Sequence, residues 1–146
     1  MKSELRIIIT IKKLVNQFSR YFVEIKSKIK DFEQITGIQG CVIGFVFEQS
    51  ENGNVYQKDI EKELGIRRSS ATTLLQRMEK NGLIRREPLP TDARWKKIVL
   101  TPKAKEFSAE VHSGMELVEQ RAVRGLTDQQ IKSFFEIVEI MTRNLA

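Results

Sequence analysis

VYQKDIEKELGIRRSSATTLLQRMEKNGLIRREPLPTDARWKKIVLT, residues 55 to 101, is the stretch that decides the fold. Ile60 and Leu64 stand four apart, as the inward residues of a short helix from about Gln57 do. Gly65 supplies a turn, and Ile66 plugs the angle between this helix and the next. Ala71, Leu74, Leu75 and Met78 then recur at i, i+3, i+4 and i+7, which predicts a second helix from about Arg68 to Asn81. Gly82 sits just past its end, where a left-handed residue is wanted. Leu83–Arg86 and Lys97–Leu100 read as two strands, and Pro88-Leu89-Pro90-Thr91-Asp92 between them is rich in turn formers. The layout is helix, turn, helix and ribbon.

Working outward, the flanks are helical too. Ile7, Ile11, Leu14, Phe18, Phe22, Ile25 and Ile29 fall at steps of three and four, predicting one long helix over residues 4 to about 30. Such a helix would be about 40 Å long, more than a small domain covers, so part of its stripe is expected to meet a second chain. Thr36-Gly37 is read as a break, and a shorter helix as running from Gly40 to about Gln49. After the ribbon, Thr101 suits an N-cap and Pro102 the first helical position. A helix from Lys103 to about Arg124 carries Phe107, Val111, Met115, Val118 and Ala122. Gly125 stops it, Thr127–Gln130 has the form of a capping box, and the last helix carries Ile131, Phe134, Phe135, Val138 and Met141. The expected fold is mainly α (α+β): a long N-terminal helix over 1–35, a winged helix-turn-helix over 36–101, and C-terminal helices over 102–146, in one domain.

Charge is concentrated where the ribbon is. The chain carries a formal +6, yet Asn54–Lys105 holds 13 Lys and Arg against 6 Asp and Glu, and the rest holds 12 against 13. The whole positive excess therefore sits on the central segment, the footprint of a polyanion partner. A helix fits the major groove of B-DNA, with its N-terminal half at the base edges. The inward stripe of the second helix turns Ser69, Thr72, Thr73, Gln76 and Lys80 outward, with Ser70 and Arg77 beside them. Arg85, Arg86, Arg94, Lys96 and Lys97 make the ribbon cationic, and Arg94, just past the turn, is placed to enter a narrow minor groove. Asp92, two residues before it, either holds that side chain or serves as a plain turn residue. The DNA-binding set is Arg68, Ser69, Ser70, Thr72, Thr73, Gln76, Arg77, Arg86, Asp92, Arg94 and Lys96.

These residues resemble the multiple-antibiotic-resistance regulator (MarR) family of winged-helix transcription factors. The resemblance is carried by Leu64-Gly65-Ile66, by Leu74 through Ile84, and by Arg86, Pro88, Asp92-Ala93-Arg94 and Leu100-Thr101. It implies an obligate homodimer joined by the first and last two helices, a recognition helix in the major groove, and Arg94 in the minor groove. Three positions depart from the family pattern. Arg67 stands where a capping Ser, Thr or Asp is common, Trp95 where the residue after the wing arginine is usually small, and Ala104 where a glycine is common.

The expected function is thus a sequence-specific, dimeric regulator of transcription, a repressor released by a small molecule or an oxidant. It would read two half-sites of a pseudo-palindrome about one helical turn apart. The alternative is a winged-helix protein-interaction module without DNA binding, against which the concentrated charge argues. No phosphate loop, zinc-protease motif, dinucleotide fingerprint or nucleophile elbow is present, so no enzyme is expected. The lone His112 has no ligand set around it, and no cofactor or metal is expected. Cys41 admits two readings: a redox thiol activated by a helix N-terminus, or a small buried hydrophobe. Phe18, Tyr21, Phe22, Phe45 and Phe47 either line a cavity for a small aromatic effector or belong to the core. The run Ile7–Ile11 is too short to span a membrane, and a cytoplasmic protein is expected.

Overall fold

The computed structural model describes residues 6–29, 32 and 34–146. Among them the order is α1 (Ile7–Ser27), α2 (Gly37–Gln49), α3 (Gln57–Leu64), α4 (Arg68–Lys80), β1 (Ile84–Pro88), β2 (Lys96–Leu100), α5 (Pro102–Ala122) and α6 (Asp128–Leu145). The long first helix is thus found over Ile7–Ser27, while residues 4, 5 and 30 of the expected span lie outside the described residues. No helix among the described residues is long and apolar enough to cross a membrane.

The helix ends follow from local chemistry. Thr36 does not break the chain but starts α2. Its hydroxyl accepts from the Gln39 N–H at 3.3 Å, and the Gln39 side chain accepts from the Thr36 N–H at 3.2 Å. This reciprocal capping satisfies two orphan donors and begins the helix a turn earlier than expected, at Gly37. Thr127 and Gln130 repeat the arrangement ahead of α6. Gly65 ends α3 at φ 60°, a left-handed conformation that costs a Cβ-bearing residue about 1 kcal/mol or more.

Thr101 is the joint of the central region. Its hydroxyl donates to the Gly82 carbonyl at 2.6 Å and accepts from the Ala104 N–H at 3.3 Å. Its own N–H donates to the Leu83 carbonyl at 3.1 Å. One residue therefore caps α5 and fixes it to the turn after α4.

The antiparallel ribbon pairs Ile84 with Leu100 and Arg86 with Ile98, through to Pro88 with Lys96. The Val55 carbonyl accepts from the Ile98 N–H at 2.7 Å, so the segment before α3 covers part of the outer edge of β2. Ile84, Ile98 and Leu100 turn inward to meet Val42, Ile43 and Val46 of α2, Ile60 of α3, Leu75 and Met78 of α4 and Phe107 of α5. This core is continuous, with Phe32 edge-on to Phe107 at 5.2 Å.

The terminal helices behave otherwise. Neither α1 nor α6 has a buried residue, though both are strongly amphipathic. Ile7, Ile11 and Leu14 on α1, and Phe134, Phe135, Val138 and Ile140 on α6, are exposed.

Candidate nucleic-acid interface

Helix α4 presents Arg68, Ser69, Ser70, Thr73, Gln76 and Arg77 to solvent, while Ala71, Leu75 and Met78 are buried. The outward face is the expected one, with one difference. Thr72 is half-buried: its hydroxyl donates to the Arg68 carbonyl and accepts from Gln57 Nε2, both at 2.9 Å. The bond from Gln57 ties the first turn of α3 to α4 and fixes the angle between the two helices. Thr73 donates to the Ser69 carbonyl at 3.2 Å, which leaves its oxygen as an acceptor only.

At the ribbon tip Asp92 grips Arg94. Asp92 Oδ1 accepts from Arg94 Nε at 3.1 Å and from the Arg94 backbone N–H at 3.0 Å, and Oδ2 accepts from Nη2 at 3.0 Å. The fork-on-carboxylate geometry limits the rotamers of an otherwise exposed side chain. The Arg94 side-chain hydrogen bonds, then its backbone N–H, hold the Asp92 carboxyl below its ordinary value. The same pairing raises Arg94.

The two other ribbon arginines part ways. Arg85 is exposed and lies 3.8 Å from Glu87 Oε1, while Lys97 lies 3.6 Å from Oε2. Arg86 falls on the inward side of the pleat with Ile84, half-buried. Its Nε and Nη2 are enclosed without a hydrogen-bond partner among the described residues. Strand alternation, not charge, decides that difference.

Trp95 turns back from the tip onto the start of α3. Its ring meets Tyr56 edge-on at 5.4 Å, and the Lys58 ammonium lies 4.8 Å from its centroid. Its backbone accepts from the Leu89 N–H at 2.9 Å and donates to the Asp92 carbonyl at 3.1 Å. Trp95 thus anchors the ribbon to the helical body. Lys58, Arg68, Arg94 and Lys96 surround the hollow between α3, α4 and the ribbon, which also has Glu61 on its wall. Gln57, Lys58 and Tyr56 were not in the sequence-derived set; they act across long sequence separations that periodicity does not reveal.

A second hollow, of about 480 Å³, opens between α1, α2 and α5. Of the aromatic residues expected at a cavity, Phe22 and Phe45 line it, joined by Phe107; Phe18, Tyr21 and Phe47 do not. Tyr21 instead lies under Arg121, 5.6 Å from its ring centroid. Cys41 and His112 also reach this hollow. Cys41 is exposed, not packed in the core, and lies in the second turn of α2 because the helix starts at Gly37. Crowding by neighbouring protein pushes its thiol above the ordinary value, the opposite of dipole activation.

A helix-turn-helix seated on this core, with a cationic ribbon beside it, defines the winged helix-turn-helix class of regulators. Residues 33–94 match the sequence model of the MarR family. The transcription regulator MarR from Oenococcus oeni PSU-1 is 31% identical, with 92% of this chain and 96% of that chain covered and a TM-score of 0.79. The chain belongs to the MarR family of transcription regulators, which are not enzymes. The heme sensor PefR from Streptococcus agalactiae, solved with heme, is 28% identical over 94% of this chain and 90% of that one, with a TM-score of 0.61. MepR of S. aureus, solved with DNA, shares the fold at 22% identity and a TM-score of 0.79, covering 98% of this chain and 99% of that one.

Proposed function

We propose that this chain is a homodimeric, DNA-binding repressor whose hold on its operator is released by a small molecule. The observation that carries the reading is the joint display of an uncovered α4 face and the Asp92-held Arg94 around one hollow. In the proposed complex Arg68, Ser69, Ser70, Thr73, Gln76 and Arg77 meet the major groove. Arg94 and Lys96 meet the adjoining minor groove and its phosphates. Thr72 serves chiefly by fixing the helix angle, and Arg86 by lending charge from behind the ribbon. That MepR, which shares the fold, was captured with DNA supports DNA as the partner.

The uncovered apolar faces of α1 and α6 support a second copy as the other half of the reader. Two-fold symmetry then calls for a pseudo-palindromic site. Of the two release routes, the α1–α2–α5 hollow favours a small molecule over an oxidant, since a thiol raised above its ordinary value is a poor nucleophile.

The test is a titration of duplex DNA from upstream of the protein's own gene at 50 and 200 mM salt. Six or more phosphate contacts would weaken binding on the order of 10³-fold between the two. Binding that ignores salt would sink the reading.

A further inference from the structure

We propose that Trp95 determines operator specificity without reading a base. As a positioning residue it fixes how far Arg94 stands from α4, and with that which base pairs beside the operator core must be A·T. The proposal rests on the DNA-binding reading above and adds where along the duplex the ribbon lands.

The ribbon needs an anchor at its tip. Its sheet has two strands, whose pairing ends at Pro88 and Lys96, and no residue between these two is buried. A two-stranded ribbon on its own is marginally stable in water. The grip of Asp92 orients Arg94 within the tip only, because both residues ride on it together. Among the described residues, every side-chain hydrogen bond and ion pair of residues 88–96 stays within the ribbon. The indole of Trp95 crosses to the helical body, against Tyr56 and under Lys58. Its seat is itself held in place. The Tyr56 N–H donates to Asp59 Oδ2 at 2.8 Å, and the Tyr56 hydroxyl accepts from Asn54 Nδ2 at 3.4 Å. Gln57, next in the chain, bonds Thr72 of α4 at 2.9 Å. A short path therefore runs from Arg94 through Trp95, Tyr56 and Gln57 to the reading helix.

Distance decides what this seat can hold. Successive base pairs lie about 3.4 Å apart along the duplex. Edge-on rings attract one another within about 7 Å between centroids, and a cation within about 6 Å of a ring. Trp95 stands 5.4 Å from the Tyr56 ring and 4.8 Å from the Lys58 ammonium. A tip that moved outward by one base-pair step would break both contacts. Seated, Arg94 enters the minor groove at one position relative to the bases under α4, and a narrow, A·T-rich groove at that position receives it best. Unseated, it would settle on whichever neighbouring step is narrowest, and the requirement would fade.

Selection from a random-sequence duplex library by the full chain is the test, with the enriched duplex then titrated against each variant. Wild type should enrich A·T pairs at a fixed distance on either side of the core, by about fivefold or more over G·C. Trp95→Ala should enrich the same core with that flank preference gone, and bind the wild-type duplex about tenfold more weakly. Trp95→Phe keeps a ring for Tyr56 and Lys58 and should stay within about twofold of wild type. In an Arg94→Ala background the loss from Trp95→Ala should vanish, because Trp95 acts through Arg94. A flank preference missing in wild type or intact in Trp95→Ala overturns this role alone, as does a Trp95→Phe protein as weak as Trp95→Ala. So does a loss that persists in full without Arg94, the mark of an indole that touches DNA or merely holds the fold. A wild-type chain that enriches no duplex overturns the repressor reading itself, and this role with it.

Discussion

The central region and the terminal helices carry the same kind of sequence signal and close it differently. From Val55 to Val111, most apolar residues at helical or strand spacing are buried within the chain; Ile60, Leu75, Met78 and Phe107 are at or below 1% exposure. On α1 and α6 the spacing is as regular, yet Phe134 and Phe135 remain 51% and 65% exposed. Periodicity therefore says which face of a helix is apolar. It does not say whether the covering surface belongs to the same molecule.

The sharpest way to break that contrast is to cut into each side. Phe107→Ala should cost about 3–5 kcal/mol, because the ring is enclosed by α2, the ribbon and Phe32 and the space cannot collapse. Urea unfolding followed by circular dichroism reads it. A loss under 1 kcal/mol would mean the core is looser than its burial implies.

Phe135→Asp should leave the protomer folded and raise the dimer dissociation constant by roughly 30-fold or more, since about 2 kcal/mol is lost by exposing such a ring and the change is present in both copies. Sedimentation equilibrium decides the matter. Unchanged association would remove α6 from the proposed interface.

Arg94→Ala should lower DNA affinity by roughly 5- to 150-fold while leaving the unfolding midpoint in urea essentially unmoved. A protein-interaction module would show neither change in partner affinity nor any salt dependence. That variant therefore separates the two functional readings as well as the two regions.

The smallest expected effect is a pH dependence. Asp92 is held below its ordinary value by Arg94, so the native state favours its ionised form. What the clamp contributes is complete above the ordinary carboxylate range and is lost as pH falls through the depressed value. Between pH 6 and 8 this pair should make DNA affinity flat. Asp92→Asn should differ from wild type there and converge with it at acid pH. A wild-type affinity that fell between pH 8 and 6 would point to a group other than Asp92.

How much of this was legible in the chain follows from the range of each signal. Gly82, Thr101, Pro102 and the Thr127–Gln130 box act on their nearest neighbours, so they mark boundaries in the sequence itself. Thr36–Gln39 has the same form as Thr127–Gln130, but Gly37 and Gly40 have low helix propensity and mask it as a break. The buried packing of α2 overrides that propensity. The outward face of α4 was readable because one helix sets it. The orientation of Arg86 hung on strand alternation one residue at a time, and Arg85 beside it carries the same charge on the other face. Gln57 and Thr72, fifteen positions apart, and Phe22, Phe45 and Phe107 of the second hollow, drawn from three helices, are brought together only by tertiary packing. No periodicity announces them.

The chain has a single tryptophan, and it lies where the ribbon meets α3, under an ammonium and beside a tyrosine. Its emission therefore comes from one location and no average over sites. The molecule carries its own optical gauge at the edge of its working surface: any event that lifts the ribbon from the helices changes the colour and intensity of that light, without a label.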